Sequence, residues 1–435
     1  MNGRALAQGC GAALVALALS GCATSLVSGG TVRDAPYQAI VARAAAVRGL
    51  PLTEPVPARV VASDDVPGLL RQVIESGLTP EEVAAYQDAL IAIGLWPEGR
   101  DVVEEYLAVA GEEVLGFYVP RTRTLYVVSD PSLPFSMRVS SVLLGRDLAR
   151  ELVLGHEVIH ALQHQAYPDF MEHDRFLKDH DDVGTALQAA LEGDATWYGF
   201  AVLDPPLPPP DPSDFRAELE RDTNERTDGA LAFTPALIRE GLYFPYSRGF
   251  LLAYAEGEGL LERPPVSSEQ VLHPDRRAAS FAAIDLAAAR GLLPDGCSFV
   301  HENEVGEFAL GVLLRELAVP GETIAPAAWE GWDGDRYLVA RCGGTREILW
   351  VTSWDGEDDA REFEQAYRSV AEAARLRGGL AAAPDVSRRG AEVWISTPAL
   401  LPVRDAMAAA ARRGRVSTLP EVLAFWDEPA EARPR

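Results

Sequence analysis

His156-Glu157-Val158-Ile159-His160 constrains this chain more than any other stretch. Two histidines four residues apart share one face of an α-helix, one turn from each other, so the run 146–165 is predicted to be helical. With 7 His and 65 acidic residues in 435, composition predicts at most roughly 0.02 such matches, so chance is a poor explanation. The flanks Leu152, Val153, Leu154, Gly155, Val158 and Ile159 are apolar on nearly every side, the pattern of a buried helix. Buried imidazoles and a buried carboxylate need partners. A metal ion held by His156 and His160, with Glu157 beside it as general base, supplies them. The competing reading is a surface helix that carries two His and a Glu.

A catalytic zinc ion takes three protein ligands and keeps one position for water. Glu192 is the candidate for the third. It lies in 186–196, where Leu187, Leu191 and Ala195 recur every four residues and predict a second helix. Alone, a Glu in that stripe is a solvated charge. Standing 32 residues after His160, it reads as a ligand. His164 competes, but it lies about 6 Å further along the first helix than His160. That is too far for one tetrahedral ion already held by His156 and His160.

H-E-x-x-H followed by a Glu on a later helix resembles the gluzincin class of zinc metallopeptidases. The wording of 156–163 (HEVIHALQ) and 191–195 (LEGDA) is similar to a group of uncharacterised bacterial metallopeptidase-like proteins. The pieces 116–121 (GFYVPR), 244–249 (FPYSRG) and 268–274 (SEQVLHP) match as well, so the resemblance covers roughly residues 110 to 340. It implies zinc as cofactor, His156, His160 and Glu192 as ligands, and Glu157 as the base that takes a proton from attacking water and passes it to the leaving amine. Residues 245–250 resemble the Pro-Tyr-x-x-Gly-Phe segment of gluzincin aminopeptidases, which implies Tyr246 as donor to the oxyanion. Tyr246 reads equally as a core tyrosine at a helix start. His273, in Leu-His-Pro, is a second candidate donor or a capped turn. Thermolysin-type gluzincins carry an acid four residues after the ligand Glu. Here that position is Thr196, and the acid is Asp194, a candidate partner behind one ligand histidine. The G-x-M-E-N segment of the aminopeptidases does not occur, so an endopeptidase acting on peptides or misfolded envelope protein is expected. One alternative is a catalytically silent zincin-fold lipoprotein that acts as a binding or assembly factor, against which the intact Glu157 argues. Another is a zinc hydrolase of non-peptide amides.

Residues 1–21 have the make-up of a secretory signal, with Arg4 ahead of the apolar run 11–19 (GAALVALAL). That run is too short to span a bilayer. Residues 19–22 (LSGC) resemble a bacterial lipobox, which implies cleavage before Cys22 and a lipid on it. The expected place is the bacterial cell envelope, lipid-anchored, at the outer membrane or periplasmic face. There Cys297 and Cys342 are either a disulfide or two unrelated thiols. A bridge would close a loop of about 45 residues, worth up to roughly 4 kcal/mol by chain entropy. A net charge of −26 excludes nucleic acid as a partner. A peptide or protein substrate and, through lipid, the membrane remain.

The fold class predicted is mostly α with α+β elements. Residues 22–35 are small and polar, and read as a tether. A zincin-like catalytic domain over 36–294 precedes a small α+β domain over 295–435. Helices are predicted at 37–48, at 81–93 behind a Thr79 cap with Pro80 first, and at 235–262. Strands 114–119 and 124–128 are predicted to form a hairpin, which either adds a substrate strand beside the metal helix or only packs. The C-terminal part reads α-β-β-α-β-α over 305–317, 336–340, 347–353, 358–376, 392–396 and 403–412.

Overall fold

The computed structural model describes residues 26–129, 147–171, 178–225 and 229–427. The signal sequence and Cys22 lie outside these residues. Two units interleave along the chain: 26–73, 107–129, 147–171 and 194–214 form the first, and 74–106, 178–193, 215–225 and 229–427 the second. Helices Val66–Gly77, Val102–Glu113, Asp181–Val202 and Pro212–Glu225 run from one into the other. The fold is of the mixed α+β kind.

In the first unit, two-residue strands β1 (Val27–Ser28) and β2 (Thr31–Val32) pair antiparallel. Part of the tether expected over 22–35 is thus paired. Gly29 and Gly30 sit at φ 59° and 74°, and successive left-handed residues make the tight turn that suits a hairpin. Helix α1 (Asp34–Arg48) follows, with Asp34 in its first turn and Gly49 ending it at φ 73°, each placed as the helix dipole and the left-handed cap favour. It buries Tyr37, Ile40, Val41 and Ala44, a stripe at helical spacing. The predicted hairpin is present as β4 (Gly116–Val119) and β5 (Thr124–Val128), with β3 (Ala58–Val61) added parallel to β5. The sheet order is β3-β5-β4, so β4 is an edge. Against this sheet lies α2 (Leu148–Ala166), burying Leu154, Val158, Ile159, Ala161 and Leu162. Ala195 and Val202 of α3 (Asp181–Val202) close the same core. At about 1.5–3 kcal/mol for each large aliphatic side chain fully buried, this core fixes how α2 lies.

The second unit is built on a five-stranded antiparallel sheet, in the order β10-β11-β9-β8-β7. A smaller sheet pairs β6 (Phe281–Asp285) with β12 (Arg412–Val416). The larger sheet comprises β7 (Cys297–Asn303), β8 (Trp332–Cys342), β9 (Thr345–Trp354), β10 (Asp385–Arg389) and β11 (Glu392–Ser396). Strands β8 and β9 are buried along nearly their whole length, as expected of strands covered on both faces. The helices of this unit include α4 (Ala236–Glu256), α5 (Gly306–Leu317) and α6 (Glu357–Gly378). Phe363 and Tyr367 of α6 both stand edge-on to Trp350, at 6.0 and 5.7 Å. The expected helix over 403–412 ends at Ala410, because Arg412–Val416 is recruited as β12 by pairing with β6.

Candidate metal centre

Helix α2 sets His156 and His160 on one face, and their Nε2 atoms converge to 3.0 Å. The rings meet edge to face, with centroids 4.6 Å apart. Two ligands of one tetrahedral zinc ion stand about 3.3 Å apart, given zinc–nitrogen bonds of about 2.0–2.1 Å, so this spacing is close to that of two ligands. Helix α3 supplies Glu192. His156, His160 and Glu192 each offer a ligand atom, all within 4.8 Å of one another. Glu192 is held there by one uninterrupted helix. A Cβ added at Gly155 would meet Val202 at 3.0 Å, and one at Gly199 would stand 3.9 Å from the Cβ of His156. The two helices therefore pack closely, and Glu192 precedes Gly199 by two turns on the same face.

Behind the metal face runs a buried relay. Nδ1 of His160 meets Oε1 of Gln163 at 2.8 Å, and Nε2 of Gln163 donates to Oδ2 of Asp194 at 2.8 Å. Arg48 donates to the same Oδ2 at 2.9 Å. The directions follow from chemistry. The Asp194 carboxylate only accepts, so the Gln163 amide must point its NH2 at Asp194 and its oxygen at His160. His160 then carries its proton on Nδ1 and turns the Nε2 lone pair toward His156, as a metal ligand requires. Asp194, expected behind a ligand histidine, reaches it through Gln163. Burial pushes the Asp194 carboxyl up, and the Arg48 guanidinium and Gln163 oppose that rise.

Glu157 is buried, and its stem lies against β4. A Cβ at Gly116 would stand 3.7 Å from Cγ of Glu157, 2.7 Å from Val153 and 3.0 Å from the Tyr126 carbonyl. Only a glycine lets the strand run this close to α2. His164 is occupied elsewhere: its Nδ1 meets the Tyr118 hydroxyl of β4 at 2.9 Å.

Tyr246 lies on α4, three residues before Gly249. There α4 crosses α3 at backbone contact: a Cβ on Gly249 would lie 2.0 Å from the Ala189 carbonyl, and one on Gly193 would lie 2.1 Å from the Gly249 carbonyl. Tyr246 stands one helical turn before this crossing. Sequence reasoning missed Gln163 and Arg48, which both donate to Asp194. Nothing in their local sequence signals this. His273 is engaged by a carboxylate. Its Nε2 is tied to Oε1 of Glu307 at 2.8 Å, and the cavity it lines includes none of His156, Glu157, His160 or Glu192.

Cys297 and Cys342 form a disulfide between directly opposed residues of β7 and β8. No helix among the described residues is long and apolar enough to cross a membrane. A family model described as a domain of unknown function (DUF8575) matches residues 297–421, downstream of every candidate metal residue. No curated protein and no solved structure matches the chain.

Proposed function

We propose that this chain is a zinc-dependent peptidase of gluzincin type that cleaves peptide bonds internally. The observation that carries the reading is the convergence of His156, His160 and Glu192 within 4.8 Å, with Glu157 beside them on α2. A His2Glu set is one of the donor sets of catalytic zinc. The Gln163 contact, which leaves Nε2 of His160 unprotonated, is what such a ligand needs. Zinc bound there would supply Lewis acidity and lower the pKa of a water to about 7.

The remaining chemistry belongs to the protein. Glu157 takes a proton from the attacking water and carries it to the leaving amine. The hydroxyl of Tyr246 donates to the developing oxyanion. Strand β4 pairs on one side only among the described residues, and its Gly116 abuts Glu157. An extended substrate added along that edge would bring its backbone beside the base. Lipid on Cys22 would tether the enzyme in the bacterial envelope. Fractionation tests the tether, because a Cys22→Ser protein that stays membrane-bound would refute it.

Metal content and turnover of an unbiased peptide library test the activity. Wild type is expected to hold one zinc per chain and to cleave. Glu157→Gln is expected to keep the zinc and lose at least ~100-fold in turnover. Tyr246→Phe is expected to lower kcat at nearly constant KM, a loss of about 2.7–4 kcal/mol in the transition state. A zinc-loaded wild type that cleaves no peptide favours the second reading, a binding or assembly factor on the same fold.

A further inference from the structure

Asp194 anchors the far end of the relay behind His160, and it does so by one oxygen. Both of its donors, Nε of Arg48 at 2.9 Å and Nε2 of Gln163 at 2.8 Å, reach Oδ2. Oδ1 has no hydrogen-bond partner among the described residues. Asp194 is fully buried and Arg48 is 3% exposed, so the carboxylate carries its charge where solvent does not reach it. Among the described residues its one ion pair is with Arg48.

Arg48 is itself held in place. Its guanidinium lies 4.9 Å from the centre of the Tyr198 ring, one turn after Asp194 on α3. The cation therefore stands between a carboxylate and an aromatic face. Arg48 is the last residue of α1, before Gly49 ends the helix at φ 73°, and the C-terminal end of a helix favours a cation. It lies outside residues 110 to 340, the stretch whose wording resembles the gluzincins, so this support comes from the chain's own N-terminal helix.

The consequence is a chain of forced directions. A carboxylate paired with a guanidinium only accepts, so Gln163 turns its NH2 to Asp194 and its oxygen to His160. Without the guanidinium, one neutral amide on one oxygen is all that holds Asp194. An unpaired buried charge is costly, and such a carboxylate does not keep its place. The Gln163 amide is then free to turn over. A turned amide offers His160 a donor in place of an acceptor, and the imidazole proton moves to Nε2, where a metal needs the lone pair.

We propose that Arg48 is a positioning residue of the metal centre: by pinning Asp194 it fixes the Gln163 amide, and through it the Nδ1–H tautomer of His160. The purpose of this arrangement rests on the zinc-peptidase reading, but its test begins in the metal-free protein.

Long-range 1H–15N spectra at about pH 8, above the ordinary histidine range, show which ring nitrogen of His160 carries the proton, with the signals assigned from a His160→Gln variant. Wild type is expected to be the Nδ1–H form. Arg48→Lys keeps the charge and is expected to keep that form. Arg48→Met removes the charge and is expected to show the Nε2–H form in comparable amount. Zinc affinity, read by competition with a chelator, is expected to fall ~10-fold in Arg48→Met, the lower range for groups behind a ligand. Added to Gln163→Met, the same substitution is expected to cost no further affinity, because the relay is already cut. An unchanged tautomer in folded Arg48→Met, or additive losses of zinc affinity in the double variant, would overturn the proposal. If Arg48→Met does not fold, Arg48→Met joined to Asp194→Asn decides, since it leaves no buried charge unpaired and gives Gln163 a neighbour that can face it either way. A mixed tautomer is expected there, and a pure Nδ1–H form overturns the proposal. A wild type that binds no zinc refutes the peptidase reading alone, because the tautomer is read without metal.

Discussion

At the scale of single residues, the metal centre depends on a proton position that no ligand sets by itself. Gln163 is fully buried and holds Nδ1 of His160 at 2.8 Å. Gln163→Met keeps its volume and removes both hydrogen bonds. His160 is then free to take the other tautomer, which places a proton where the ligand lone pair belongs. Zinc affinity, read by competition with a chelator, is expected to fall ~10–100-fold. A purely structural role would lower the melting temperature and leave the chelator competition unchanged. His156, Glu157 and His160 were legible in the sequence because helical geometry alone makes neighbours of residues within one turn. Glu192 was legible only in company with the H-E-x-x-H run, since alone it reads as a solvated charge. Gln163 and Arg48 were not. Gln163 meets Asp194 across 31 residues and Arg48 meets it across 146, and only the packed fold brings them together. The pairing of His273 with Glu307 was not legible for the same reason: its local sequence says nothing of Glu307.

At the scale of elements, the glycine pair between α3 and α4 governs where Glu192 stands. Gly193 follows that ligand directly, and Gly249 faces it with no room for a methyl group. Gly249→Ala is therefore expected to push the helices apart and cost ~1–3 kcal/mol. The displacement falls on the turn that carries Glu192, so zinc retention is expected to drop with the melting temperature. A destabilised variant with full zinc affinity would show that the crossing does not position the ligand. The elements read correctly from sequence were those with strong local signals. Helix Pro80–Ile93 has a complete capping box at Thr79, and β11 is a β-branched and aromatic run, Val393-Trp394-Ile395, between polar ends. Strand β3 was missed, since four residues pairing in parallel with β5 leave no local turn to announce them. The paired residues 27–32 were taken for a tether because two glycines suit a flexible linker as well as a tight turn.

At the scale of the whole molecule, several carboxyls are buried in the second unit at a chain charge of −26. Burial pushes Asp335 up to about 6 and Glu269 up to about 7, and it holds Asp182 well above the carboxylate range. Asp335 tolerates this position because it accepts from the Val305 and Gly306 amides and from the indoles of Trp332 and Trp350. Each raised group keeps its proton in the native chain at a pH where the unfolded chain has lost it. The native state therefore holds more protons from about pH 4 up to the raised value, and its stability falls as pH rises through that window. The slope reaches about 1.4 kcal/mol per pH unit for each such group. Glu304 works in the opposite sense: His180 and Arg336 hold it below its ordinary value, so its contribution is lost in acid below about pH 4. Self-repulsion of the growing negative charge adds to the loss at higher pH. Thermal unfolding followed by calorimetry from pH 4.5 to 7.5 is thus expected to show a falling melting temperature. Glu269 has one weak partner, Arg276 at 3.4 Å, so Glu269→Gln removes a titrating group with little loss of contact. That variant is expected to melt with a shallower slope between pH 4.5 and 7 and to gain most on the wild type at the upper end. A melting temperature that is flat or rises over this range in the wild type would show that these acids do not remain protonated in the native fold.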